Sequence, residues 1–117
     1  MTEPAPEPPP YPWLAPQTVL AWLKVDPANT QRVTLVEVCR MGAASWIEDQ
    51  RKDLVVAGVF VAKDRVVMAG LLATARLFAR TDSPNGVVSF DELGTGSILS
   101  KDPDVMRQLG RSNFKVG

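Results

Sequence analysis

The chain has 117 residues, 45% of them hydrophobic, and its thirteen basic and thirteen acidic side chains cancel. That length holds one domain with one core, and zero net charge supplies no overall field toward nucleic acid or a membrane. Histidine is absent, which removes the commonest general base and the commonest transition-metal ligand, and the one cysteine, Cys39, has no internal partner for a disulfide.

Residues 1–12, MTEPAPEPPPYP, hold six of the ten prolines. Proline fixes φ and withholds a donor, so this arm is expected to be flexible or polyproline-like and to join no sheet. A PxxP ligand is the sharper reading of the arm, and a solvated tail the plainer one. The N-terminus carries no positive stretch followed by an apolar core, so no secretory signal is expected and the chain is placed in the cytoplasm of the cell that makes it.

Pro16 suits a first helical turn, and Val19, Leu20, Trp22 and Leu23 then give a short helix whose two neighbouring tryptophans, Trp13 and Trp22, suggest docking onto the core. Asp26 and Pro27 repeat the start signal and predict a second helix from Pro27 to about Asp49. On it Val33, Val36, Arg40, Ala43 and Ile47 step by three and four, with Leu35, Cys39, Gly42 and Trp46 as a second stripe. Two stripes imply two packed faces, one for the core and one for a neighbouring subunit. Arg40 falls inside an apolar stripe, where it must reach the edge, pair with a carboxylate or cross an interface. Cys39 is expected to be a small buried hydrophobe in a reducing compartment.

Asp53 to Ala62 contains the longest apolar run, Leu54 to Ala62, which Gly58 interrupts and which is far shorter than the ~20 residues that span a bilayer. Its β-branched content permits a strand, but the flanking helices favour an extended connector packed on the bundle. From Lys63 to Arg80 one amphipathic helix is predicted, with Met68, Leu71, Ala75 and Phe78 on one face and Leu72 and Ala79 widening it. Ala69, Gly70, Ala73 and Ala79 leave room for a close neighbour. Arg76 and Arg80, four apart, suit the negative end of the helix dipole.

Ser83 to Gly86 forms a proline–glycine turn, and Val87 to Phe90 and Ser97 to Ser100 are short strand-like runs around DELGTG, a hairpin loop in composition. Asp102 and Pro103 start a last short helix through Leu109 that Gly110 stops. The expected fold is thus mainly α: a small bundle of three to four helices with a short β-hairpin near the C-terminus and flexible termini. It divides into an arm (1–12), a helical domain (13–110) and a tail (111–117).

Candidates for catalysis are thin. Asp91 with Glu92, and Asp102 with Asp104, are carboxylate pairs that turns and helix caps explain, and ELGTGS lacks the Gly-Lys-Ser/Thr of a phosphate loop. No nucleophile with a base is present, so no enzyme activity, cofactor or metal is expected.

The run ARLFARTDSPNGVVSFDELG from Ala75, followed by SILSKDPDVMRQLG from Ser97, resembles the head-to-tail connector proteins of tailed phages, also called adaptor or head-completion proteins. Those proteins carry an alanine-rich helix ending in an aromatic and a pair of arginines, a Ser-Pro-x-Gly turn, a short Gly-rich strand region and an Asp-Pro-Asp helix start, in that order. Here these are Ala75 to Arg80, Ser83 to Gly86, Val87 to Leu99, and Asp102 to Leu109. The resemblance covers about residues 13–110 and leaves out the proline arm. It implies a structural virion protein of the neck: a homo-oligomeric ring, twelve-fold, under the portal, that keeps the DNA channel continuous without sequence-specific binding and offers a platform to the downstream stopper or tail protein. It further implies that the segment after Leu109 docks on the portal, with Arg111, Asn113, Phe114 and Lys115 as contacts and Phe114 as the anchor. The hairpin region would join neighbouring subunits through Val87, Val88, Phe90, Ile98 and Leu99. Arg40, Arg76 and Arg80 complete that expected interface, the last two paired with a neighbour or facing the channel.

The alternative is a small helical nucleic-acid-binding protein with Arg76, Arg80, Arg107, Arg111 and Lys115 as its basic patch, against which neutral net charge counts. A third reading, an enzyme subunit or regulator, requires a partner to bring the chemistry.

Overall fold

The computed structural model describes residues 9–81 and 99–110, and these are mainly helical. The helices are α1 Pro16–Leu23, α2 Thr30–Gln50, α3 Asp64–Thr81 and α4 Pro103–Leu109. A 3-10 turn, Lys52–Leu54, and a small antiparallel hairpin of β1 Val55–Val56 and β2 Val59–Phe60 connect α2 to α3.

Local chemistry sets the boundaries. Pro16 opens α1, and Lys24 closes it in the left-handed region at φ 58°, its N–H donating to Ala21 O and the N–H of Val25 to Leu20 O. α2 begins at Thr30 and not at Pro27. Asn29 supplies the cap, its side chain accepting from Arg32 N, while Asp26 accepts from Ala28 N and the Asp26 carbonyl from Asn29 N. Pro27 therefore occupies a turn, where its fixed φ is equally at home. α4 follows its sequence signals: the Asp102 carboxylate accepts from Asp104 N and Val105 N, Pro103 sits in the first turn, and Gly110 ends the helix at φ 81°.

The described hairpin lies at Val55–Phe60, in the stretch expected to be an extended connector. Ala57 and Gly58 take φ of 52° and 80°, the paired left-handed conformation that turns two strands tightly, and Val55 pairs with Phe60, Val56 with Val59. The hairpin expected at Val87–Ser100 lies outside the described residues except at its end. There Leu99 and Ser100 are helical, and the Leu99 carbonyl accepts from Asp102 N, a turn that a strand would not make.

The core is built around α3, which packs on both α2 and α4. Val36, Cys39, Ala43, Ala44 and Ile47 of α2 meet Val66, Ala69, Ala73 and Leu77 of α3, and Leu14, Val19, Leu99, Val105 and Leu109 close the remaining sides. Leu71 and Phe78 of the expected α3 face are buried, and the buried side continues through Ala69, Gly70, Ala73 and Thr74, whereas Ala79 is exposed and Met68 and Ala75 are half-buried. A Cβ at Gly70 would come within 2.9 Å of Leu14 Cδ1 and 3.2 Å of Trp13 Cζ3, so the close approach expected at this position is made by the N-terminal segment. Of the two tryptophans, Trp13 is the one that docks. Its Nε1–H donates to Glu48 Oε2 at 2.8 Å and its ring lies 5.0 Å from that of Phe60, while Trp22 remains exposed.

Candidate interaction surface

Arg40 is wholly buried. Its Nη1 donates to the carbonyl oxygens of Pro10 (2.7 Å), Tyr11 (3.2 Å) and Leu14 (2.9 Å), and its Nε and Nη2 grip the Glu37 carboxylate. Of the three fates open to an arginine in an apolar stripe, pairing with a carboxylate is the one found. A side chain with no exposed surface has nothing to offer a neighbour, so Arg40 leaves the interface set. The same donors fix Pro10 and Tyr11, so these residues of the expected arm belong to the folded body. Leu99, also at zero exposure, belongs to the chain's own core and leaves the set too.

Arg76 turns toward α4. Its Nε donates to Asp102 Oδ2 at 2.7 Å and its Nη2 to Asp104 Oδ2 at 3.3 Å, so much of its charge is met within the chain. Partial burial raises the Asp102 carboxyl, but the N–H of Val105, the Arg76 guanidinium and the N–H of Asp104 together outweigh it and hold its pKa below the usual carboxylate value. Exposed Arg80 lines the same open groove together with Lys101. At the other end of α4, Arg51 Nη1 donates to Leu109 O at 2.6 Å and Arg65 Nη2 to Arg107 O at 2.8 Å. Both termini of this seven-residue helix are therefore held by guanidinium groups, positive charge at its carbonyl end matching the dipole. The clamp fixes where the chain departs at Gly110 toward its last seven residues.

Burial pushes the Cys39 thiol up to about 12, which leaves it an inert apolar side chain. Among the described residues no three Cys, Asp or Glu side chains gather as a metal site, and no buried side-chain nitrogen or oxygen lacks a hydrogen-bond partner.

The surface is conspicuous in two places for what it leaves in water. On the side of α2 opposite the core, Leu35, Val38 and Met41 are 43%, 45% and 38% exposed. Gln31, Thr34, Gly42 and Ser45 complete that face, so it carries no charge from residue 31 to 45. On the hairpin, Val55, Val56, Val59 and Val61 are 46%, 60%, 62% and 50% exposed. Alternation places Phe60 and Val55 on the side toward Trp13 and Val56, Val59 and Val61 on the outer side. An antiparallel sheet with one wet face normally alternates apolar and polar residues, and these two strands contain no polar residue at all.

The sequence stripes included Leu35 but not Val38 or Met41, and the valines were expected to lie on the bundle. The missing signals were the uncharged run of the α2 outer face and the absence of any polar strand position. Val87, Val88, Phe90 and Ile98, and the tail contacts Arg111, Asn113, Phe114 and Lys115, lie outside the described residues. No family model, no curated protein and no solved structure matches the chain.

Proposed function

We propose that this chain is a structural virion protein, an adaptor that forms a ring between the portal and the next head-completion or tail protein of a tailed phage. The observation that carries the reading is the pair of separate, uncharged apolar surfaces on one small helical domain, the outer face of α2 and the valine hairpin. Grouped apolar side chains left in water on a folded domain suit a protein contact, which is the support they lend to this reading. The order of motifs from Ala75 to Leu109 supports the connector assignment, and α4 holds the departure point of the tail at Gly110 between Arg51 and Arg65. In this role the chain is placed in the virion neck after synthesis in the host cytoplasm, and DNA passes through the ring without sequence-specific contacts. No helix among the described residues is long and apolar enough to cross a membrane.

Cryo-electron microscopy of the neck of the purified particle tests the reading. The expected result is density for this chain as a ring beneath the portal, with residues 111–117 running up to it. A neck built wholly from other chains refutes the adaptor role. Salt-dependent DNA binding by the isolated chain is then the outcome that favours a nucleic-acid-binding protein.

A further inference from the structure

We infer that Leu99 to Leu109 form a clasp that opens from the α1–α3 body as one unit, with the Asp102–Arg76 pair as its catch. The inference stands on packing within the chain and does not depend on the ring reading.

The clasp is held from outside itself. A helix of seven residues is far below the roughly 12–15 that stand alone in water, so α4 is helical only while it rests on α3. Arg65 and Arg76 lie eleven residues apart on α3, which at ~3.6 residues per turn is close to three full turns, so both project from one face. Arg65 reaches Arg107 O and Arg76 reaches Asp102, so α4 runs antiparallel to α3 between them. Leu99, Val105 and Leu109, each at zero exposure, supply the apolar side of the contact. The bonds that join α1, α2 and the hairpin run elsewhere, through Arg40 to the carbonyls of Pro10, Tyr11 and Leu14 and through Trp13 to Glu48 and Phe60. They remain when α4 leaves.

Asp102 is the catch because one carboxylate does two jobs. Its Oδ1 accepts from Asp104 N and Val105 N, which caps the helix, and its Oδ2 accepts from Arg76 Nε at 2.7 Å, which docks it. Losing its charge loosens both at once. The groove around it also holds Arg80, Lys101 and Asp104, two cations that favour the ionised form and one carboxylate that opposes it. Arg76 is 44% exposed and Asp104 57%, so water and salt reach this end of the clasp. At the other end Arg51 and Arg65 hold the uncharged carbonyls of Leu109 and Arg107, contacts that acid leaves intact.

Linkage gives the direction in which the catch works. Burial opposes the charge on Asp102, but the N–H of Val105, the Arg76 guanidinium and the N–H of Asp104 hold its pKa below the ordinary carboxylate value. The clasp is therefore closed most firmly above about pH 4 and opens more often as pH falls through the lower folded value. Opening brings Leu99, Val105 and Leu109 into water and releases Gly110, the point from which residues 111–117 depart.

Native-state hydrogen exchange of the full chain, followed residue by residue by NMR at low urea concentrations, tests the clasp. The amides of Met106 to Gly110 are expected to share one opening, more frequent and less urea-dependent than that of Cys39 to Ile47 in α2. Val36→Ala weakens the body, which is formed whether the clasp is open or closed. It is expected to speed exchange in α2 about tenfold or more and to leave Met106 to Gly110 at the wild-type rate. Arg76→Ala and Asp102→Asn, the latter keeping a good cap while discarding the charge, are each expected to speed exchange at Met106 to Gly110 about threefold in mildly acidic buffer. Asp102→Ala, which loses cap and pair together, is expected to give about tenfold. The gap between wild type and Asp102→Asn should close toward pH 2. Exchange of Met106 to Gly110 in step with α2, equal acceleration of both by Val36→Ala, or rates graded inward from the helix ends as in fraying overturns the single opening. No acceleration by Arg76→Ala or Asp102→Asn overturns the catch.

Discussion

Arg40 Nη1 donates to the carbonyl oxygen of Leu14 at 2.9 Å, joining the middle of α2 to the entry of α1 with both residues at zero exposure. Arg40→Ala strips a donor from three carbonyls and opens a cavity, with an expected loss on the order of 3–5 kcal/mol in urea unfolding. Arg40→Lys is expected to recover only a small part, since an ammonium cannot reach the carbonyls and Glu37 at once as a planar fork does. Glu37→Gln leaves the buried guanidinium with a neutral acceptor in place of its counter-charge and is expected to cost about 1–3 kcal/mol, less than Arg40→Ala because Glu37 itself is 37% exposed.

The same substitution is expected to have opposite signs at two helical glycines. Gly42→Ala adds a methyl where nothing lies within 4 Å and is expected to stabilise by up to about 1 kcal/mol through helix propensity. Gly70→Ala drives Leu14, which has no exposed surface to move into, out of a packed site, and is expected to lose about 1–2 kcal/mol despite the same propensity gain. Paired thermal melts check both.

Asp102 carries a pH dependence. Its folded pKa lies below the unfolded carboxylate value, so the stability it contributes is complete above about pH 4 and is lost as pH falls through the lower folded value. Asp102→Ala removes the α4 cap and is expected to cost about 1 kcal/mol near neutral pH. In denaturant titrations the gap between wild type and variant should close toward pH 2.

Cys39 is a reporter of opening. With its thiol pushed up to about 12 by burial, almost none of it is thiolate at pH 8, and burial blocks access as well. Labelling by a disulfide reagent is expected to be slow in the native chain and to accelerate with urea in step with unfolding. Fast labelling without denaturant would show that the α2–α3 packing opens locally.

Ala57 sits at φ 52° in the hairpin turn, a conformation that costs an L-residue with a Cβ about 1 kcal/mol. Ala57→Gly and Ala57→Asn are each expected to raise the melting temperature, with the helical spectrum unchanged.

Local signals determined much of this chain. Pro16, Asp102, Pro103 and Gly110 set the bounds of α1 and α4, and the periodicity of α2 and α3 made the domain helical, because caps and 3.6-residue repeats act over one or two turns. The sequence also showed that Arg40 must find a partner. Tertiary structure decided which one, because Glu37 and three carbonyls of the N-terminal segment converge only once α1 folds back on α2. It decided too that the line of small residues through Gly70 is the inner side of α3, since that choice depends on what packs above it. Ala57–Gly58 became a hairpin turn although alanine gives little warning of a left-handed φ, and Leu99 turned inward to the core. The outer face of α2 and the valines of the hairpin show why the separation runs this way. Apolar composition requires burial, but only the packed fold reveals which apolar side chains the described residues leave in water.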